Sequence, residues 1–411
     1  MSVRLGPLLA REQAQLDGFK SRALRAEAPA HQRHLYATVW READIVQAEG
    51  AKVLAISDDA SVRCARVPAC VGQEKLVEKL QDGEWAVVMA AAAVQRGAYA
   101  TLPLFALEVA LMLVQMVATT SGTLGLWLLT SGLEVTPQAA AHAGGWGLGR
   151  SARVELLLPV VCIDAALDVA LTCSPNLAEP EAVVRSTQYL FSRVEHAPHA
   201  VGSVADETRS SHLITGGTGG LGLLTGRWLA QHGAHALTLV SRSGAVQSNM
   251  ALEWDQLQGS PAVSQMQQCD TAETAHVRRL LVRGTAACLS PTTGVWHAAG
   301  VIADSMLPKQ TAGALARVYG PKTHGAWTLH DAYTCAPLCT CALFSSVSSL
   351  LGGAGQANYA AANACLDALA QGRRARSTVS TSIQWGAWAE LGMAARGPAN
   401  ERVAALEAAS G

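Results

Sequence analysis

Ser346, Tyr359 and Asn363 are the residues whose types and spacing most directly suggest chemistry: the tyrosine follows the serine by thirteen positions and precedes the asparagine by four. Reducing a carbonyl requires a hydride at carbon, a proton at oxygen and aimed donors for the charge that develops on that oxygen. Tyr359 is the candidate acid. A phenol titrates near ~10, so it needs a neighbouring cation to become competent near neutral pH. Lys322, in GPKTHGAW, is the candidate cation. Ser346 ends the apolar run CALFSS, which places its hydroxyl at the C-terminal edge of a sheet, where it can hold a ketone oxygen. Asn363 shares a helix face with Tyr359, and its amide is suited to a water-linked proton path. Singly, each has a plainer reading: a half-buried helix tyrosine, a turn serine, a solvated lysine, a capping asparagine. Together they describe a reducing site.

Upstream, Thr215, Gly216, Gly217, Thr218, Gly219, Gly220, Leu221 and Gly222 lie between the strand SHLIT and a helix expected from about Leu221 to His232. A glycine loop alone can be an ordinary turn. Leaving a strand and opening a helix, it reads as a pyrophosphate cradle at a helix N-terminus. A Walker-type loop is excluded, because no Gly-Lys-Ser/Thr follows. Ser241 and Arg242 end the second strand, where an acidic residue would contact the ribose of NAD. An arginine there suits the 2′-phosphate of NADP, or it is a solvated strand end. Asp270, after the third strand, is placed to accept from an adenine amine, and His297, Ala298, Ala299 and Gly300 to pass beneath adenosine and nicotinamide. NADPH is therefore the expected cofactor.

These residues need a scaffold. A chain of 411 residues predicts two α/β units of about 200 residues each. Residues 1–30 read as a polar linker helix ending near Pro29, and 31–205 as alternating strands and helices. In that first half SDDASV, and no glycine loop, follows the first strand KVLAIS. Residues 206–411 read as a complete doubly wound unit whose segment from Trp385 onward is a lid. The expected fold class is thus α/β with two Rossmann-like subdomains, and only the second has a phosphate site.

Charged residues make up 15% and the formal net charge is −1. That leaves no basic stripe for nucleic acid. Thr101–Thr119 is the one run apolar enough to raise a membrane span, but Glu108 sits at its middle, so a buried helix is expected. Ten cysteines without a CxxC pair predict buried, reduced thiols and no metal site, Cys335, Cys339 and Cys341 notwithstanding. The N-terminus lacks a signal-peptide core, and a cytoplasmic location is expected.

On the glycine loop, the serine and tyrosine, Asn363 after the tyrosine and Lys322 thirty-seven residues before it, the second half resembles the ketoreductase of a type I polyketide synthase, within the short-chain dehydrogenase/reductase superfamily. LYATVW, GLWLLTSG and WGLGRSARVE resemble that family's truncated, cofactorless Rossmann subdomain. The resemblance implies catalytic roles for Lys322, Ser346, Tyr359 and Asn363. It implies a β-ketoacyl thioester on an acyl carrier protein as substrate, and other synthase domains as partners. Of the family's Leu-Asp-Asp element Ile302-Ala303-Asp304 keeps only the last aspartate, and position 351 is Leu351 in place of the tryptophan that marks L-alcohol producers. A D-configured (B-type) product is implied, unless Asp304 is a loop cap. A silent scaffold and a fatty acid synthase ketoreductase are the alternatives.

Overall fold

The computed structural model describes residues 2–8, 11–17, 36–43, 53–57, 65–68, 73–81, 85–91, 103–119, 125–133, 137–166, 169–170, 179–185, 188–196, 210–246, 248–286 and 291–386. Strands β1 (Ser2–Leu8) and β2 (Arg11–Asp17) pair antiparallel along their whole length. The linker helix expected over residues 1–30 is therefore not formed in its described part. Gly6 and Pro7 are the poorest helix formers and sit inside the first strand. These strands belong to a unit made of Met1–Tyr36 and Ala387–Gly411, and the sheets below to a second unit, Ala37–Gly386.

In the first half, strands β3 (Tyr36–Ala43), β4 (Val53–Ile56), β5 (Ala65–Val67), β6 (Val87–Ala90), β7 (Gly125–Thr130), β8 (Val160–Asp164), β9 (Glu181–Arg185) and β10 (Gln188–His196) form one sheet of order β3-β10-β9-β8-β7-β6-β4-β5. From β5 to β9 the pairs are parallel, whereas β9 and β10 are antiparallel. Counted from β4, the parallel part runs 2-1-3-4-5-6. That is the 3-2-1-4-5-6 order of a dinucleotide-binding sheet with one outer strand deleted and a further strand added. β9 and β10 follow each other closely in the sequence and pair antiparallel.

In the second half, β11 (Ser211–Thr215), β12 (Ala236–Ser241), β13 (Val263–Gln268), β14 (Gly294–His297), β15 (Thr340–Ser346) and β16 (Thr381–Trp385) form an all-parallel sheet of order β13-β12-β11-β14-β15-β16. The chain reverses its direction of travel between β11 and β14, the switch point at which such sheets open a ligand crevice beyond their carboxyl ends. The central strands β11 and β15 are almost wholly buried, as continuous apolar runs in a parallel sheet require.

One apolar core spans both halves. The helix Pro103–Thr119 buries Leu107, Leu111 and Leu113 in the same cluster as Leu315, Tyr319 and Leu366 of the second half, and the Tyr319 hydroxyl donates to the Ala141 carbonyl at 2.7 Å. Among the described residues no helix is long and apolar enough to cross a membrane. Cys162, Cys269, Cys341 and Cys365 are buried free thiols. Cys335 and Cys339 depart from expectation and are exposed, because the segment after the helix Gly325–Ala332 runs over the surface. The expected lid beyond 386 and most of the seam between the halves lie outside the described residues.

Candidate active site

Thr215, at the end of β11, is fully buried and lies opposite His297, at the end of β14. Between them the glycine loop turns into the helix Gly220–Gln231. Gly216 has φ +64°, and a Cβ there would stand 2.9 Å from the Ala298 carbonyl and Ala299 Cα, so both the turn and the close approach demand glycine. Gly219 at the helix N-cap gives no side-chain cap, which leaves the first-turn N–H groups turned to the crevice. This chain's own residues therefore fit a dinucleotide phosphate: a cradle a side chain would fill and an uncapped helix N-terminus.

His297 is fully buried and bridges two parts of the site. Its Nδ1 meets Thr215 Oγ1 at 2.8 Å and its Nε2 meets the Lys322 carbonyl at 2.8 Å. A carbonyl can only accept, so Nε2 carries the proton and Nδ1 accepts from the threonine hydroxyl. That hydroxyl in turn accepts from the Ala299 N–H at 3.2 Å. Burial holds the imidazole neutral, its pKa lowered to about 4. Gly300 leaves space for the lysine stem, since a Cβ there would lie 3.0 Å from Lys322 Cε.

Lys322 comes from a π-helical turn, Gly320–His324. Pro321 has no N–H to give the preceding turn, which breaks the α-helical ladder at that point. Lys322 is 3% exposed. Its Nζ donates to the Phe344 carbonyl at 2.8 Å and to Asn363 Oδ1 at 2.6 Å, and stands 5.1 Å from the Tyr359 ring centroid. An ammonium only donates, so the asparagine oxygen must face it, and Nδ2 is left to donate to the Tyr359 carbonyl at 2.9 Å. Both ends of the amide are thus engaged with protein. These bonds make Asn363 a brace between the lysine and the tyrosine helix.

Ser346 caps the short helix Val347–Leu351, its Oγ accepting from the Ser348 N–H at 3.2 Å. Tyr359 and Asn363 lie one turn apart on the helix Ala357–Ala375. Burial draws Lys322 down to about 7, opposed by the charge of Asp367. Burial pushes the Tyr359 phenol above its ordinary value, opposed by Asn363 and assisted by the charge of Asp304. The sequence argument expected a neighbouring cation to lower the phenol. In this environment burial prevails and the phenol keeps its proton at neutral pH, the form an acid must have.

The other expected residues take plainer positions. Ser241 Oγ accepts from Gly244 N–H at 3.1 Å, and Arg242 is exposed beyond the strand end. Asp270 Oδ1 accepts from Ala272 N–H at 3.0 Å, a loop-capping bond. Gln356 Nε2 donates to Asp304 Oδ2 at 3.5 Å, which joins the Asp304 segment to the turn before the tyrosine. Leu351 is 45% exposed, as is, to a similar degree, Met306 at 50%. His297 was expected beneath the cofactor; its bridging role depends on which backbone faces it, which no linear pattern displays.

A 3-2-1-4-5-6 parallel sheet with a glycine cradle, and with Lys322, Asn363 and the Tyr359 helix gathered beside it, is the arrangement of a nicotinamide-dependent oxidoreductase of the short-chain dehydrogenase/reductase class. Residues 210–390 match the family model described as KR domain. The chain is 37% identical over 284 residues to the pikromycin polyketide synthase component PikAIII of Streptomyces venezuelae, covering 65% of this chain and 18% of that protein. It is 36% identical over 263 residues to chalcone synthase cfoA of Aspergillus candidus, covering 62% of this chain and 10% of that protein. The chain thus spans less than a fifth of the length of these curated relatives. Among solved structures, an A1-type ketoreductase aligns with TM-score 0.77 and 29% identity, over 90% of this chain and 86% of that one. Residues 210–390 thus carry a KR domain, and the chain as a whole is similar to solved ketoreductases of modular polyketide synthases.

Proposed function

We propose that the chain reduces a β-ketoacyl thioester, carried on an acyl carrier protein, to the 3-hydroxyacyl thioester with NADPH. The observation that carries this reading is the convergence of Lys322, Asn363 and the Tyr359 helix beside a cradle with an uncapped helix N-terminus. The bound dinucleotide supplies the hydride that forms the new C–H bond. Tyr359 gives its phenolic proton to the ketone oxygen as the carbonyl π bond breaks, and Ser346 holds that oxygen from the sheet edge. Lys322, fixed by Phe344 and Asn363, places a positive charge beside the phenolate left behind. Arg242 is the residue for the 2′-phosphate, and its exposure at the strand end suits a contact made only with ligand bound. Asp304 with Leu351 supports a D-configured product; likeness to structures of A1-type and C2-type ketoreductases, with TM-scores of 0.77 and 0.76, does not separate these classes. Acyl carrier protein and neighbouring synthase domains follow as partners.

The test is the absorbance decay of NADPH on mixing the protein with a β-ketoacyl thioester of N-acetylcysteamine, with chiral analysis of the product. Tyr359→Phe should slow turnover by a factor of about 100 or more while NADPH still binds, because it removes the proton and not the cradle. NADPH binding without turnover by the wild type, on this thioester and on a carrier-bound substrate alike, would instead support a structural ketoreductase scaffold.

A further inference from the structure

The helix Gly144–Leu156 belongs to the half without a glycine loop, yet its side chains reach the loops around the reducing cluster. Arg150, paired with Glu181, donates to the Ser349 carbonyl in the short helix that Ser346 caps. Ser151 Oγ accepts from the Gly353 N–H at 3.4 Å. Glu155 touches two segments at once. Its Oε2 accepts from the Gly355 N–H at 2.8 Å and its Oε1 from the Leu307 N–H. Leu307 ends the segment that leaves β14 and carries Asp304, whereas Gly355 lies in the turn between Leu351 and the tyrosine helix. The two segments also meet directly, Ser305 N–H donating to the Gly355 carbonyl at 2.9 Å and Asn358 Nδ2 to the Ala303 carbonyl at 2.6 Å.

We propose that Glu155 is a positioning residue of the reducing site: from the cofactorless half it sets the spacing of the two substrate-side segments, and so the face of the ketone presented to hydride. The inference rests on the reductase reading above and deepens it. A carboxylate is the group the site requires, because two backbone donors converge on it and each oxygen satisfies one. Glutamine offers a single acceptor and turns its NH2 toward the second N–H. Aspartate keeps the charge and loses the reach of one methylene. Glu155 touches neither Tyr359 nor the glycine loop, so its influence falls on where the thioester sits and not on the proton or the cofactor.

Hydrogen exchange followed by mass spectrometry in Glu155→Gln should show faster exchange in peptides covering 303–308 and 352–357 together, with peptides across β11 and β12 unchanged. In steady-state assays with the N-acetylcysteamine thioester, KM for the thioester should rise about tenfold, the loss of a charge-assisted hydrogen bond. KM for NADPH should hold within about twofold, and the minor 3-hydroxy enantiomer should increase. Glu155→Asp should lie between the two. Faster exchange in only one segment or in neither would overturn the proposal, as would a rise in NADPH KM matching that for thioester, or an unchanged enantiomer ratio. Absence of turnover in the wild type would sink the reductase reading instead, and the exchange comparison would still decide whether Glu155 clamps both segments.

Discussion

Burial draws the Lys322 ammonium from about 10.5 down to about 7, and this gives its charge two opposite consequences as pH rises. For catalysis the cation is needed beside Tyr359, so turnover should hold below pH 7 and fall about tenfold per unit above it. Lys322→Arg, charged throughout, should be slower but flat over the same range; a profile unchanged by the substitution would show that the lysine does not set the alkaline limb. For stability the sign reverses. Between about 7 and 10.5 the unfolded chain binds a proton that the native state has released, so this group adds stability as pH rises through that window. Urea titrations at both ends of it should show the increment in the wild type and its loss in Lys322→Met. Arg242 allows a separate test. A charge-assisted contact to a 2′-phosphate predicts that Arg242→Asp raises the Kd of NADPH far more than that of NADH, by about tenfold or more. Equal loss for both cofactors would return the arginine to its plainer role as a solvated strand end.

At the scale of elements, β11, β14 and the π-helical turn are joined through one imidazole. Thr215, His297 and the Lys322 carbonyl form a buried chain whose neutral histidine has its pKa lowered to about 4. The contribution is present above the unfolded value of about 6.5 and is lost as pH falls toward 4, because the unfolded histidine protonates first. His297→Gln should therefore lose less stability between pH 7 and pH 5 than the wild type, as read by urea midpoints. The strands that hold this chain were legible in the sequence, since buried parallel strands such as SHLIT and CALFSS are short apolar runs bounded by glycine or serine. The placing of Tyr359 and Asn363 on one helix turn was legible for a related reason: a spacing of four positions is a local relation. What the sequence concealed was non-local or non-ideal. The π turn at Gly320–His324 looks like any helix, the antiparallel pairing of β9 with β10 reverses an otherwise parallel sheet without a local signal, and the phenol's environment depends on how deeply the fold buries it.

For the whole molecule, the relation between the halves turns on one helix crossing. Gly147 of the helix Gly144–Leu156 lies against the backbone of Ala360, the residue after Tyr359, and a Cβ at 147 would overlap the Ala360 carbonyl. Neither partner there is a flexible side chain able to swing away. Gly147→Ala should therefore force the two helices apart and cost about 1–3 kcal/mol, although alanine is the better helix former. Two residues earlier the same helix supplies its own control, because a Cβ on Gly145 meets nothing within 4 Å. Gly145→Ala should leave stability unchanged or raise it by up to about 1 kcal/mol. The pair also separates two meanings of a structural half. If it only adds buried surface, Gly147→Ala should lower the urea midpoint and leave kcat of the folded protein intact. If the crossing sets the height of the tyrosine helix above the sheet, kcat should fall by a factor of about 10 or more even where the variant is fully folded, since a misplacement of about 1 Å at the reacting atoms is costly. Ala360 adjoins the acid, and Glu155 and Arg150 hold the neighbouring segments from the same helix, so the second outcome is expected.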